Sequence, residues 1–167
     1  MGVSLQWAFP AIFFVIACAI ASATGTSWGT FGMLIPLATA VLGTEVNTLT
    51  LLTISATMGG AVFGDHVSPI SDTTIMSSTG ANCNHINHVR TQFPYAALVA
   101  AIAAVTYLVG GLVSSLAMGW CILVIWAVAL SLFVGVILLI RFIEKKKNND
   151  NNGSKEEMVN VEENADA

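Results

Sequence analysis

The chain has 167 residues, 55% hydrophobic and only 10% charged, with a formal net charge of −4. A soluble domain carries about 25% charged residues. Here the stretch 1–140 holds only Glu45, Asp65, Asp72 and Arg90, and every other charge falls in 141–167. Such a surface excludes a dispersed globular domain and suits lipid, and with no basic patch it excludes a nucleic-acid partner.

The N-terminus lacks the basic region of a signal peptide, and apolar patterning resumes beyond the small residues at 17–23, so it reads as a membrane segment. The first apolar run, 7–23, is barely long enough to cross a bilayer, which takes about 20 residues. It stops in Thr24-Gly25-Thr26-Ser27-Trp28-Gly29-Thr30, and apolar character returns over 31–42. Two short pieces around a polar, flexible break predict a discontinuous helix or a re-entrant hairpin.

Gly43-Thr44-Glu45-Val46-Asn47 reads as an interfacial loop. A second short apolar run, 48–63, closes on Gly59-Gly60 and Gly64 and leads into a second break, Asp65-His66-Val67-Ser68-Pro69-Ile70-Ser71-Asp72-Thr73-Thr74. Residues 75–78 are helix-compatible, and 79–90 is hydrophilic, with His85, His88 and Arg90 among three asparagines, so an aqueous loop or helix end is expected there. The runs 94–113 and 119–140 are each about one bilayer long and are joined by an uncharged turn. Arg141 and Lys145, Lys146 and Lys147 follow the last run, which predicts a cytoplasmic C-terminus and places Arg90 on the same side. Cys18, Cys83 and Cys121 are far apart, without a CxxC pair, and read as small apolar residues. The expected division is a transmembrane part over 1–143 and a disordered, acidic cytoplasmic tail over 144–167.

The chemistry lies in the two breaks. Unpaired backbone at bilayer depth costs several kcal/mol, so non-helical chain is tolerated only where protein or water covers it. A carboxylate near the midplane costs at least about 2.5–3.5 kcal/mol on insertion scales. A chain that keeps both features twice has an ion or substrate site as the usual reason. Aspartate, serine and threonine oxygens, with carbonyls freed at Gly25, Gly29 and Pro69, suit a hard monovalent cation. Pro69 makes a straight helix through Asp65 and Asp72 improbable, so the two should flank an unwound segment. An aspartate that takes either sodium or a proton is the minimal exchange device, because the two compete for one charge. Gly25-xxx-Gly29 and Gly60-xxx-Gly64 also match a helix-packing motif, which is an equally good account of those glycines.

The stretches 24–36 and 64–80, followed by His85-Ile-Asn-His-Val-Arg-Thr-Gln-Phe-Pro-Tyr95, closely resemble the C-terminal region of the NhaC family of sodium/proton antiporters. The resemblance covers roughly 8–113. It implies an all-α integral membrane fold, an ion-transporter-type half with broken or re-entrant helices and about 4–5 membrane segments. It implies one polar tip built from Thr26, Ser27 and Thr30 and another from Asp65, Ser68, Ser71, Asp72 and Thr73, as ligands of the transported ion. No enzyme, no resident metal and no cofactor is expected, only transported Na+ and H+. The implied setting is the inner (plasma) membrane, multi-pass, with membrane lipid and an N-terminal half-transporter or a homo-oligomer as partners.

Family members are well over twice this length, so the chain is expected to be a fragment, one subunit of a split transporter, or a remnant. Sodium/proton antiport is the leading expectation. The alternatives are ion-coupled antiport of an organic acid or amino acid, and a truncated membrane subunit that does not transport.

Overall fold

The computed structural model describes residues 5–43, 45–116 and 118–165, and all the regular structure among them is helical. After a 3₁₀ turn, Gln6–Ala8, helix α1 runs Phe9–Thr24, with Pro10 in its first turn, where no backbone N–H is needed. It ends at Gly25, whose φ of +67° is the left-handed conformation that glycine adopts at least cost; the Gly25 N–H closes the last turn on the Ala21 carbonyl at 2.8 Å. Thr26 is extended and its hydroxyl accepts from the Gly29 N–H at 3.3 Å, which starts helix α2, Ser27–Leu42. The first break, expected over 24–30, is thus confined to Gly25 and Thr26. The other polar residues there belong to helix ends, because glycine and threonine satisfy the terminal N–H and C=O groups without further coil.

Helix α3, Thr48–Val67, is capped by Asn47, whose side-chain oxygen accepts from the Thr50 N–H at 2.8 Å and the Thr50 hydroxyl at 3.0 Å. It stops where the ring of Pro69 forces Ser68 into extended backbone, with φ −78° and ψ 128°. Helix α4, Asp72–Gly80, resumes after the break at 68–71. Helix α5, His85–Val113, is capped by Asn84, which accepts from the Asn87 N–H at 3.1 Å. It is longer than the apolar run predicts: His85, His88 and Arg90 form its opening turns, the helix-end alternative of the two expected there, because the asparagine cap starts the helix before the hydrophobic stretch begins.

Two units are distinguished, Met1–Ala129 and Leu130–Ala167. In the first, α3 is the hub against which α1, α2 and α5 pack. Its buried face is small or hydroxylated: Thr50, Thr53, Ala56, Thr57, Gly60, Ala61 and Gly64. That composition lets α1 approach at backbone distance. A methyl at Gly60 would overlap the Phe14 carbonyl oxygen, and one at Gly64 would sit 2.5 Å from the Cys18 carbonyl oxygen and 2.7 Å from the Ala21 Cβ. The hydroxyls of Thr53 and Thr57 donate to the carbonyls of Leu49 and Thr53, each at 2.8 Å, so they enter the packed face already satisfied. Ala17, Ala21, Leu34 and Ala61 form a small apolar core among α1, α2 and α3. From α5, the Tyr107 hydroxyl donates to the Ser55 carbonyl at 3.2 Å, and its ring meets Phe14 with centroids 5.5 Å apart.

Helix α6 runs Met118–Ala165. It is helical across the stretch from 148 for which composition predicts a disordered tail; the side chains there lie outside the described residues, and the division at 143/144 stays an expectation. Gln6–Thr24, His85–Val113 and Gly119–Phe142 are each long and apolar enough to cross a membrane, and Ser27–Leu42 is a shorter apolar helix. Large apolar side chains such as Trp126, Phe133 and Leu138 point outward, which lipid permits and water does not. The chain is an all-α, membrane-embedded protein whose helices are broken in two places.

Candidate functional site

Each break joins the C-terminal end of one helix to the N-terminal end of the next, so each presents carbonyl groups on one side and N–H groups on the other. The two breaks touch. A methyl at Gly25 would lie 2.9 Å from the Ile70 Cγ1 and 3.0 Å from the Ile70 carbonyl carbon and oxygen. Only a residue without a Cβ lets the backbone of the first break lie against that of the second.

Asp65 sits in the last turn of α3 and is 6% exposed. The Ser71 hydroxyl donates to its Oδ1 at 2.6 Å, the Thr73 hydroxyl lies 3.3 Å from its Oδ2, and those two hydroxyl oxygens are 2.8 Å apart. Ser68 and Ser71 are fully buried. The Ser68 N–H donates to the Asp65 carbonyl at 3.3 Å, the Ser68 hydroxyl accepts from the Ile70 N–H at 3.4 Å, and the Ser71 N–H returns to the Ser68 carbonyl at 3.4 Å. The break is therefore a tight, internally bonded turn rather than loose coil. Thr74, buried in the first turn of α4, reaches back to the carbonyls of Asp65 and His66, each at 3.4 Å. It ties the two half-helices together. The sequence sets Thr74 within the break without marking a role for it; its place five residues after a helix-stopping proline is the signal.

Asp65, Ser68, Ser71 and Thr73 thus converge on one turn. Asp72 is exposed in the first turn of α4, outside the hydroxyl group around Asp65, at the helix end whose partial positive charge favours a carboxylate. In the first break, Thr26 is exposed and its hydroxyl caps α2, while buried Thr30 donates to the Thr26 carbonyl at 2.9 Å. Ser27 is half-buried at the first position of α2. These three build the helix start, and the first break meets the second through the Gly25 backbone rather than through their side chains. Of the four glycines in small-xxx-small spacing, Gly60 and Gly64 serve helix packing. Gly29 serves the cap, since a methyl there would meet only the Thr26 side chain, at 3.0 Å from its Cγ2.

A carboxylate with two hydroxyl donors, set between the negative end of α3 and the positive end of α4, can hold a small cation or a proton. If a proton binds Oδ1, Ser71 turns its own hydroxyl hydrogen toward Thr73, 2.8 Å away, and accepts from the carboxyl. If a hard cation binds, the same hydroxyl oxygens have lone pairs to offer it. A separate open groove of about 550 Å³ between α1, α3 and α5 is lined mainly by apolar side chains, among them Phe14, Val62, Val99 and Tyr107, and has no such donor set.

The sequence matches the Na+/H+ antiporter family over residues 3–112. It is 57% identical over 102 residues to an uncharacterised protein of Haemophilus influenzae, covering 61% of this chain and 20% of that one. It is 35% identical over 111 residues to a malate-2H(+)/Na(+)-lactate antiporter of Bacillus subtilis, covering 64% and 24%. It is 34% identical over 114 residues to an arginine/ornithine antiporter of Halobacterium salinarum, covering 66% and 23%. The match thus spans less than a quarter of the length of each of these relatives. No solved structure matches the chain. With both touching breaks inside the matched region, the chain belongs to the Na+/H+ antiporter family.

Proposed function

We propose that this chain supplies the ion-binding wall of a secondary antiporter that exchanges sodium for protons, with Asp65 as the alternating carrier. The observation that carries this reading is a buried carboxylate held by Ser71 and Thr73 inside a broken helix. Bulk sodium displaces the proton from Asp65 on one side of the membrane, and a proton displaces sodium on the other. The hydroxyl oxygens of Ser68, Ser71 and Thr73 replace part of the hydration shell. Asp72, exposed at the start of α4, faces the aqueous or partner side of the same break and acts as a second carboxylate on the ion path. Thr26, Ser27 and Thr30 hold the opposing tip in shape. The setting is the plasma membrane with the C-terminus cytoplasmic, because Arg141 and Lys145 to Lys147 follow the last span. The remaining wall comes from a further portion of the transporter, as the relatives' greater length suggests.

Sodium-dependent proton flux in everted vesicles tests the assignment in the complete transporter. Asp65→Asn keeps the shape and removes the charge, so exchange should fall by at least about a hundredfold, the worth of a buried charged partner. Asp72→Asn should raise the sodium KM by a smaller factor. If Asp65→Asn exchanged sodium at the wild-type rate, the carrier role would be lost.

A second reading, ion-coupled antiport of an organic anion or amino acid, is favoured by the names of the malate/lactate and arginine/ornithine relatives. It keeps the same cation site and adds a solute. Solute-driven sodium flux that survives without a proton gradient distinguishes it.

A further inference from the structure

The geometry points to His85 as a positioning residue that holds the unwound segment of the cation site from outside, by donating its Nε2–H to the Pro69 carbonyl. The transport consequence rests on the antiport reading above, whereas the tautomer does not. His85 is the first residue of α5, and its ring lies between two parts of the preceding chain. Its Nε2 is 2.7 Å from the Pro69 carbonyl oxygen, sixteen residues back, and its Nδ1 is 3.0 Å from the Ser78 hydroxyl in α4. One imidazole therefore clasps the break, the helix after the break and the helix after that.

The hydrogen count fixes the form of the ring. A carbonyl only accepts, so Nε2 must carry a hydrogen whether the ring is neutral or charged. In the neutral ring Nδ1 then has a lone pair, and the Ser78 hydroxyl donates to it. In the charged ring Nδ1–H donates to Ser78, and Ser78 turns its hydrogen to the Ile75 carbonyl, 2.9 Å away. The clasp on Pro69 survives both states. Titratable groups on the surrounding elements are Asp65 and His66 in α3, Asp72 in α4, Cys83 before α5, and His88, Arg90, Tyr95 and Tyr107 in α5; the ring nitrogens bond to Pro69 and Ser78 instead.

The clasp matters because Pro69 lies between the two buried serines of the site. Ser68 and Ser71 are both fully buried, and Ser71 makes the short bond to Asp65. Pro69 contributes no N–H, so the segment has fewer backbone bonds of its own to keep its course. A donor that fixes the Pro69 carbonyl fixes the approach of Ser71 to the carboxylate.

Two measurements test this. In the full chain reconstituted in lipid nanodiscs, ¹⁵N spectra of labelled histidine should show the neutral His85 as the Nε2–H tautomer. In the complete transporter, His85→Ala should raise the sodium KM by about tenfold, the worth of one lost hydrogen bond, with a smaller change in kcat. His85→Gln, whose amide nitrogen reaches nearly where Nε2 lies, should return KM to within about threefold of wild type, and His85→Asn, which reaches only as far as Nδ1, should not. An Nδ1–H tautomer, or a glutamine variant as impaired as the alanine one, would overturn the proposal. If the wild-type transporter shows no sodium-dependent flux, the antiport reading falls and the tautomer still decides the role of His85.

Discussion

The contrast between Asp65 and Asp72 is set by where each falls relative to Pro69. Asp65 precedes the proline and closes α3, so its carboxylate turns inward to meet Ser71 and Thr73. Asp72 follows it and opens α4, exposed at a helix end whose partial positive charge stabilises it. Residue types and spacing mark both as ion ligands, but burial separates them, because helix phase after a break depends on turn geometry that spacing alone does not specify. Ser71 follows as a sharp test. It is fully buried and makes the shorter of the two hydroxyl bonds to the carboxylate, 2.6 Å against 3.3 Å for Thr73. A hydrogen bond to a charged group is worth about 1.5–3 kcal/mol, so Ser71→Ala should raise the sodium KM by roughly 10–100-fold. Thr73→Ala, at an exposed position with a longer bond, should cost several times less in the same flux assay.

At the scale of elements, the breaks were legible as Gly-Thr and Ser-Pro punctuation between short apolar runs. Their narrowness was not. Hydroxyl and asparagine side chains that look like loop in the sequence act as caps: Thr26 starts α2, Asn47 starts α3 and Asn84 starts α5. Polar composition therefore overstates the unwound length, and over 79–90 it leaves loop and helix end undistinguished. The helix-packing and site readings of the glycines divide by position. Gly64→Ala places its methyl 2.5–2.7 Å from α1 backbone and the Ala21 Cβ, so α1 must move away, and stability should fall by about 1–3 kcal/mol. Thermal unfolding in detergent reads that loss directly. Gly29→Ala meets only the Thr26 side chain, at 3.0 Å from its Cγ2, and should change the same unfolding temperature far less. Equal losses for the two variants would contradict the assignment of Gly64 to the α1–α3 contact.

For the whole molecule, the antiport proposal gives this chain one side of an exchange site. The match covers 23–24% of the antiporter relatives, and the breaks sit against each other without enclosing Asp72 or Thr26. The antiport proposal accordingly expects the chain alone, reconstituted in liposomes, to show little sodium-driven proton flux. Co-reconstitution with the rest of such a transporter should restore flux that depends on Asp65. Full exchange by the chain alone would show that it builds both walls, for example as a homo-oligomer.

Composition and order by themselves determined that the chain lies in a membrane, that it is helical, and that it is interrupted at two polar places carrying its family resemblance. Those properties follow from the cost of charge and of unpaired backbone in lipid, which act on any arrangement of the chain. Tertiary structure alone decided that the two breaks meet at Gly25 and Ile70, that Asp65 rather than Asp72 is enclosed, and that His85 reaches back to Pro69. The physical reason is that the Gly25–Ile70 and His85–Pro69 contacts join segments well apart in the chain, while the enclosure of Asp65 depends on the course of the turn through Pro69, which residue spacing does not specify. The close packing of α1 on the small-residue face of α3 brings the first break beside the second; the glycine spacing marks that face but not which helix lies on it.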